Sequence, residues 1–102
     1  PDCSLVVCAN DAVAVAVIRR AREVGLHIPD DLAVIGFDDV PWADFIDPGL
    51  TTVRQPLADL GTQAATLLHR RISDPSHPPQ LRTLPVELVI RGSAVLASGT
   101  EP

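Results

Sequence analysis

The run Leu32-Ala33-Val34-Ile35-Gly36-Phe37-Asp38-Asp39 decides the fold. Residues 32–37 are a short apolar stretch ended by two aspartates, the pattern of a buried strand that stops where the chain meets solvent. Upstream, the polar loop His27-Ile28-Pro29-Asp30-Asp31 feeds this strand, and Gly25 with Leu26 reads as a helix stop. The helix thus closed covers residues 12–24, and Asn10 or Asp11 can cap its start. Its first half is valine-rich and apolar almost all round, so it needs cover on more than one side. Its second half carries Arg19, Arg20, Arg22 and Glu23. Residues 5–9 form another continuous apolar run, which suits a strand buried on both faces of a parallel sheet. The unit is strand, helix, strand.

Downstream, residues 42–46 are read as a short helix before the turn at Asp47-Pro48-Gly49, and residues 51–54 as a third strand. Gln55-Pro56 then opens a helix over 56–72. Proline is tolerated in the first helical turn, and Leu57, Leu60, Ala64, Leu67, Leu68 and Ile72 recur at helical spacing. Residues 73–80 are polar and Pro-rich, a loop; a last strand over about 84–90 precedes Arg91-Gly92-Ser93 and a polar tail. There is no internal repeat. The order βαβ, β, α, β predicts an α/β fold, a mainly parallel sheet with flanking helices.

Composition bounds the function. A chain of 102 residues with 46% hydrophobic content can bury one core, and a net charge of -5 without a dense basic tract argues against DNA binding by this piece itself. Cys3 and Cys8 fall on opposite faces of a strand and cannot bridge within it, so both are read as buried thiols of a reducing compartment. Residues 1–18 lack a signal-peptide pattern, and no apolar stretch is long enough to span a bilayer; the expectation is a cytoplasmic protein with no membrane partner.

In an open α/β sheet, ligands bind beyond the carboxyl ends of the strands. Asn10, Asp38 and Gln55 follow three successive strands there, offering two amides and a carboxylate that can donate to and accept from hydroxyl groups. Each also has a plainer role: Asn10 as a cap, Asp38 or Asp39 as a cap or turn, Gln55 as a solvated helix start. Their coincidence favours a site. Enzymatic readings fare worse. There is no G-x-S-x-G elbow, and His27, His69 and His77 have no serine or cysteine spaced for a triad. Asp38 and Asp39 resemble an aspartyl phosphatase pair, but adjacent side chains diverge and cannot share one magnesium in that way. No zinc spacing, P-loop or G-x-G-x-x-G is present, so no enzyme, cofactor or metal is expected.

Cys8-Ala9-Asn10-Asp11, Gly25 with Pro29-Asp30-Asp31, Val34-Ile35-Gly36-Phe37-Asp38-Asp39, Pro48 with Leu50-Thr51-Thr52-Val53, and Arg91-Gly92-Ser93 together resemble LacI/GalR-family transcriptional repressors in order and spacing. The resemblance covers roughly the last third of a typical member. It implies part of a periplasmic-binding-protein-like type I fold, whose two lobes close on a small-molecule effector such as a sugar or purine. Positions matching Asn10, Asp38 and Gln55 line that cleft in the family. Residues 1–54 and 83–102 would belong to the C-terminal lobe, and 55–82 to a segment that packs on the N-terminal lobe. The resemblance also implies a homodimer through Val15, Ile18, Arg19, Arg22, Trp42 and Ile46, although Trp42 and Ile46 would equally cover the monomer core. DNA would be contacted only through an N-terminal domain outside this chain. The apolar face of the 56–72 helix is then expected to be buried by another route, on the remaining sheet or against a second chain. A secreted sugar-binding receptor of the same fold is the alternative reading, and an α/β phosphotransfer enzyme a more distant one.

Overall fold

The helix that follows Asn10 is α1 (Asp11–Glu23), and both its ends are built by the residues that signalled them. The Asn10 side chain accepts a hydrogen bond from Val13 N at 2.9 Å, which satisfies one of the amides a helix start leaves open. At the other end Gly25 has φ 87. Gly25 N donates to Arg22 O at 3.0 Å and Leu26 N to Ala21 O at 2.9 Å, a Schellman ending that needs the left-handed residue glycine supplies. The structure is a computed structural model that describes residues 2–97.

Asp11, Ala14, Ile18 and Ala21 form the buried stripe of α1. The apolar first half is otherwise less covered than its composition suggested, with Val13 at 45% exposure. β1 (Leu5–Val7) and β2 (Ala33–Ile35) pair in parallel, Val6 opposite Val34. β3 (Thr52–Arg54) pairs antiparallel with β4 (Glu87–Val89), Val53 opposite Leu88. Parallel bridges Ile35 to Thr51 and Asp38 to Arg54 join β2 to β3. Ser93 extends this lane: Val34 N donates to Ser93 O at 2.9 Å, and Ser93 Oγ donates to Val34 O at 2.6 Å. Thr51 N in turn donates to Ser93 Oγ at 2.8 Å, and Thr51 Oγ1 donates to Ala94 O at 2.7 Å. The turn at Arg91-Gly92-Ser93 is therefore part of the sheet's hydrogen bonding.

The core gathers Cys8, Ala14, Ile18, Ala21, Leu32, Val34, Ala43 and Leu50 between α1, β2 and the segment before β3. The chain divides into two compact units. One comprises the residues through Arg54 together with those from Glu87 onward; the other is Gln55–Val86. The second unit carries α2 (Leu57–Ser73). Within it Leu60, Ala64 and Leu67 share a shallow groove with Leu81 and Leu84, and Arg82 donates to Gln63 Oε1 at 3.3 Å.

Three expectations are corrected and a fourth is narrowed. β1 is not buried on both faces: Leu5 is 47% and Val7 69% exposed, both on the face opposite Val6, which packs against the core. Cys3 lies before that strand and is exposed, while Cys8 is buried and its thiol pKa is raised by desolvation. Residues 42–46 make turns and no helix. Ala43 N donates to Val40 O and Phe45 N to Trp42 O, both turn bonds of i to i−3 spacing, and the Ala43 carbonyl is turned toward Leu50 N, from which it accepts. Within this chain no residue of α2 is buried, which leaves a second chain as the expected route to cover its apolar face.

Two glycines test the packing in opposite directions. A Cβ on Gly36 would strike Asp11 Oδ1 and lie 3.2 Å from Asp11 Cα and 3.1 Å from Leu50 Cδ2. Gly36→Ala is expected to cost about 1–3 kcal/mol, a fall in Tm of several degrees by circular dichroism. A Cβ on Gly61, within α2, meets nothing within 4 Å. Gly61→Ala should raise the stability of the helix by roughly 0.5–1 kcal/mol.

Candidate functional site

The carboxyl ends of β1 and β2 lie side by side, because the strands are parallel neighbours. Asp11 N donates to Phe37 O at 3.1 Å and stitches the two ends together. Asn10 and Asp38 are thereby brought to the same edge, both half-buried. Asn10 spends its side-chain oxygen on the α1 cap. Gln55 is half-buried and opens the second unit, where its carbonyl accepts from Leu57 N at 2.9 Å.

Asp38 has φ 123 and Asp39 φ 57. Aspartate enters the left-handed region more readily than most residues, yet the value at Asp38 lies beyond the usual left-handed well and carries strain on the order of 1–3 kcal/mol. The surroundings hold it there: Asp38 N donates to Val53 O at 2.9 Å, in the bridge to β3.

Both carboxylates that flank Asp38 in space are tied inward. Asp11 is 0% exposed. Its Oδ1 accepts from Thr52 Oγ1 at 2.6 Å and its Oδ2 from Val40 N at 2.9 Å. Its place in the first turn of α1 adds the favourable end of the helix dipole. A buried carboxylate is tolerated only with such partners. Asp39 has a side chain only 9% exposed, yet it meets two guanidinium groups, Arg54 Nε at 2.7 Å and Arg91 Nη1 at 2.8 Å. Arg91 Nη1 also donates to Leu50 O at 3.0 Å, and Arg54 Nη1 lies 3.5 Å from Glu87 Oε2. Burial pushes the Asp39 carboxyl up, but the hydrogen bonds and charges of Arg91 and Arg54 outweigh it and hold the group below the ordinary carboxylate range. Asp39 in turn raises the Arg54 pKa.

Chemically, this edge offers a carboxylate and an amide on a rigid frame, suited to hydrogen bonding with hydroxyl groups. With Asp39 held by two arginines, the adjacent aspartates do not form a shared magnesium pair. Among the described residues, no three His, Cys, Asp or Glu side chains gather to hold a metal ion, and no helix is long and apolar enough to cross a membrane. Sequence reasoning treated Asp11 as a cap alternative and Asp39 as a turn residue, and gave Thr52, Arg54 and Arg91 no contacts. The available signal was that Thr51-Thr52 and Arg91-Gly92-Ser93 belonged to the ordered motif set.

A second feature lies on α1. Val15, Ile18, Arg19, Arg22 and Ile46 line one surface concavity of about 440 Å³. Ile18, at 4% exposure, forms its floor. Arg22 Nη2 donates to Asp47 O across it. Trp42, 40% exposed, is not part of this lining.

A family model described as "Periplasmic binding protein-like domain" matches residues 1–94. Among curated proteins, the chain is 45% identical over 98 residues to the HTH-type transcriptional regulator MalR of Streptomyces coelicolor, covering 96% of this chain and 28% of that protein. Among solved structures, it superposes on the transcriptional regulator CelR–cellobiose complex with a TM-score of 0.85 at 35% identity, over 92% of this chain and 29% of the other. It also matches a LacI family transcriptional regulator from Enterococcus faecium with bound ribose, with a TM-score of 0.80 at 35% identity, over 93% of this chain and 35% of that one. The chain thus spans about a third or less of the length of these relatives.

The lowered Asp39 pKa makes a pH prediction. A carboxylate depressed in the folded state contributes stability above its unfolded pKa of about 3.9, and that contribution is lost as pH falls through the lower folded value. Asp31 behaves alike, lowered first by the His27 backbone hydrogen bond and then by the His27 side chain. Tm should therefore fall as pH drops below about 4. Asp39→Asn should lower Tm at neutral pH, with the gap to wild type narrowing on acidification; a gap constant with pH would contradict the assignment.

Proposed function

The chain belongs to the periplasmic binding protein-like domain family, in the form found in LacI-type transcriptional regulators, and we propose that it is the ligand-sensing and self-associating part of such a regulator. The observation that carries this reading is Asp38: an aspartate in a strained backbone conformation, at the carboxyl end of a parallel strand, beside Asn10. Strain held by surrounding hydrogen bonds is characteristic of binding sites. The Asp38 carboxylate accepts hydrogen bonds from the hydroxyl groups of a small neutral effector, a sugar or nucleoside-like molecule. Asn10 and Gln55 supply further amide contacts. No bond is broken; the protein is a sensor and not an enzyme.

Effector binding biases the domain between states that differ in their affinity for DNA, as any linked two-state regulator requires. DNA is contacted through another part of the polypeptide, in keeping with a net charge of -5 on this chain. The regulator works in the cytoplasm as a homodimer. Its self-association uses the α1 concavity, where Val15, Ile18 and Ile46 give an apolar floor and Arg19 and Arg22 a charged rim, the layout of a protein interface. Trp42 extends this surface as an exposed aromatic anchor.

Two measurements test the reading. A charge-assisted hydrogen bond contributes about 1.5–3 kcal/mol, so Asp38→Ala in the intact polypeptide should weaken binding of a neutral sugar roughly tenfold or more by calorimetry. Unchanged affinity would remove Asp38 from the site. Val15→Asp should shift the protein from dimer to monomer in sedimentation velocity while the circular dichroism spectrum stays that of the wild type. A persistent dimer would place the interface elsewhere.

A further inference from the structure

Both carboxylate oxygens of Asp39 are engaged by arginines, Oδ2 by Arg54 and Oδ1 by Arg91. The location of this ion cluster is specific. Asp39 directly follows Asp38. Arg54 is the β3 residue bridged to Asp38, and Arg91 belongs to the turn that completes the sheet beside β2. Arg91 is itself fixed by its bond to Leu50 O and by Arg91 N donating to Thr51 Oγ1 at 2.8 Å. A guanidinium locked at both ends is a rigid post, and a short charged bond to it fixes the residue that carries the carboxylate.

On the other side, Val40 N is held by Asp11. The two residues after Asp38 are thus clamped by separate anchors, Val40 by the buried Asp11 and Asp39 by the two arginines, and the one before it, Phe37, accepts from Asp11 N. Asp38 is left to adopt the positive φ that closes this short span.

Resting on the assignment of Asp38 as an effector contact, we propose that Asp39, Arg54 and Arg91 are positioning residues for effector binding, which hold Asp38 in its strained, binding-ready conformation. The cluster reaches further than the loop. Arg54 is the last residue of the first unit before the chain leaves it and Glu87 the first on its return, and the two are register partners in the β3–β4 pair as well as an ion pair. The same cluster therefore ties the effector loop to both strands through which the chain passes to the second unit. A change in occupancy at Asp38 reaches β3 through the 2.7 Å contact of Asp39 with Arg54, and β4 through the looser 3.5 Å pair of Arg54 with Glu87.

The test uses Asp39→Asn, which keeps size and shape but removes the charge, with Asp31→Asn as a control that removes a carboxylate bonded to His27 far from β3 along the chain. Amide hydrogen exchange of the chain is read residue by residue. Asp39→Asn should speed exchange at the Asp38 amide about tenfold or more while the Val34 and Leu50 amides keep their protection; Asp31→Asn should leave Asp38 unchanged. General destabilisation would instead accelerate all three amides, and that result, or no change at Asp38, would overturn the proposal. In the intact polypeptide, titration with ribose, glucose and cellobiose should show at least a tenfold loss of affinity for Asp39→Asn and none for Asp31→Asn. Equal affinity in wild type and Asp39→Asn would overturn the positioning role. If wild type binds none of the three sugars, the effector class proposed above is wrong, and the exchange measurement alone decides whether the cluster positions Asp38.

Discussion

The buried Asp11 carboxylate is the constraint on which the rest of the structure depends. It sits at 0% exposure in the first turn of α1 and is made tolerable by Thr52 Oγ1 at 2.6 Å and Val40 N at 2.9 Å. Leaving a carboxylate buried without those donors costs about 3–5 kcal/mol, a large share of the stability of a typical domain. Every element it touches must therefore stay in register with the others: the helix start, the end of β2 and the second residue of the Thr51-Thr52 pair. Gly36 follows from the same constraint, because only a residue without Cβ fits beneath Asp11 Oδ1.

The carboxyl edge of the sheet inherits its geometry from this hub. Asp11 fixes Phe37 and Val40, the arginine pair fixes Asp39, and Asp38 takes up the strain between them at φ 123. Three aspartates close in sequence or space thus divide into two roles, set by where each one lies. Asp11 and Asp39 brace the fold through their hydrogen bonds to Thr52, Val40, Arg54 and Arg91. The third lies at the strand end, where sheets of this class bind ligands.

The order of elements was legible in the sequence. The Asn10 cap and the Gly25 stop correspond to observed hydrogen bonds because each depends on contacts within a few residues, and the apolar run before Asp38 contains β2. What failed depended on distant partners. The apolar residues of β1 and α2 predicted burial, but hydrophobicity states only that a residue prefers cover, and among the described residues Leu5, Val7 and Leu68 stay 47%, 69% and 60% exposed. Residues 42–46 carry a helix-compatible composition but make turns, with the Ala43 carbonyl turned toward Leu50 N. In the candidate site, Asn10 and Asp38 could be placed from strand ends alone. The roles of Asp11, Thr52, Arg54 and Arg91 could not, since the partners of Asp11 and Asp39 lie 15 to 52 residues away.

The central claim is that the strand end at Asp38 binds a neutral, hydroxyl-bearing effector. The most direct measurement is a crystal structure of the intact polypeptide soaked with ribose, glucose or cellobiose. Sugar hydroxyls are expected within hydrogen-bonding distance of the Asp38 carboxylate, with Asp11 and Asp39 still bound to Thr52 and to the two arginines. A sugar seated elsewhere, with Asp38 untouched, would contradict it.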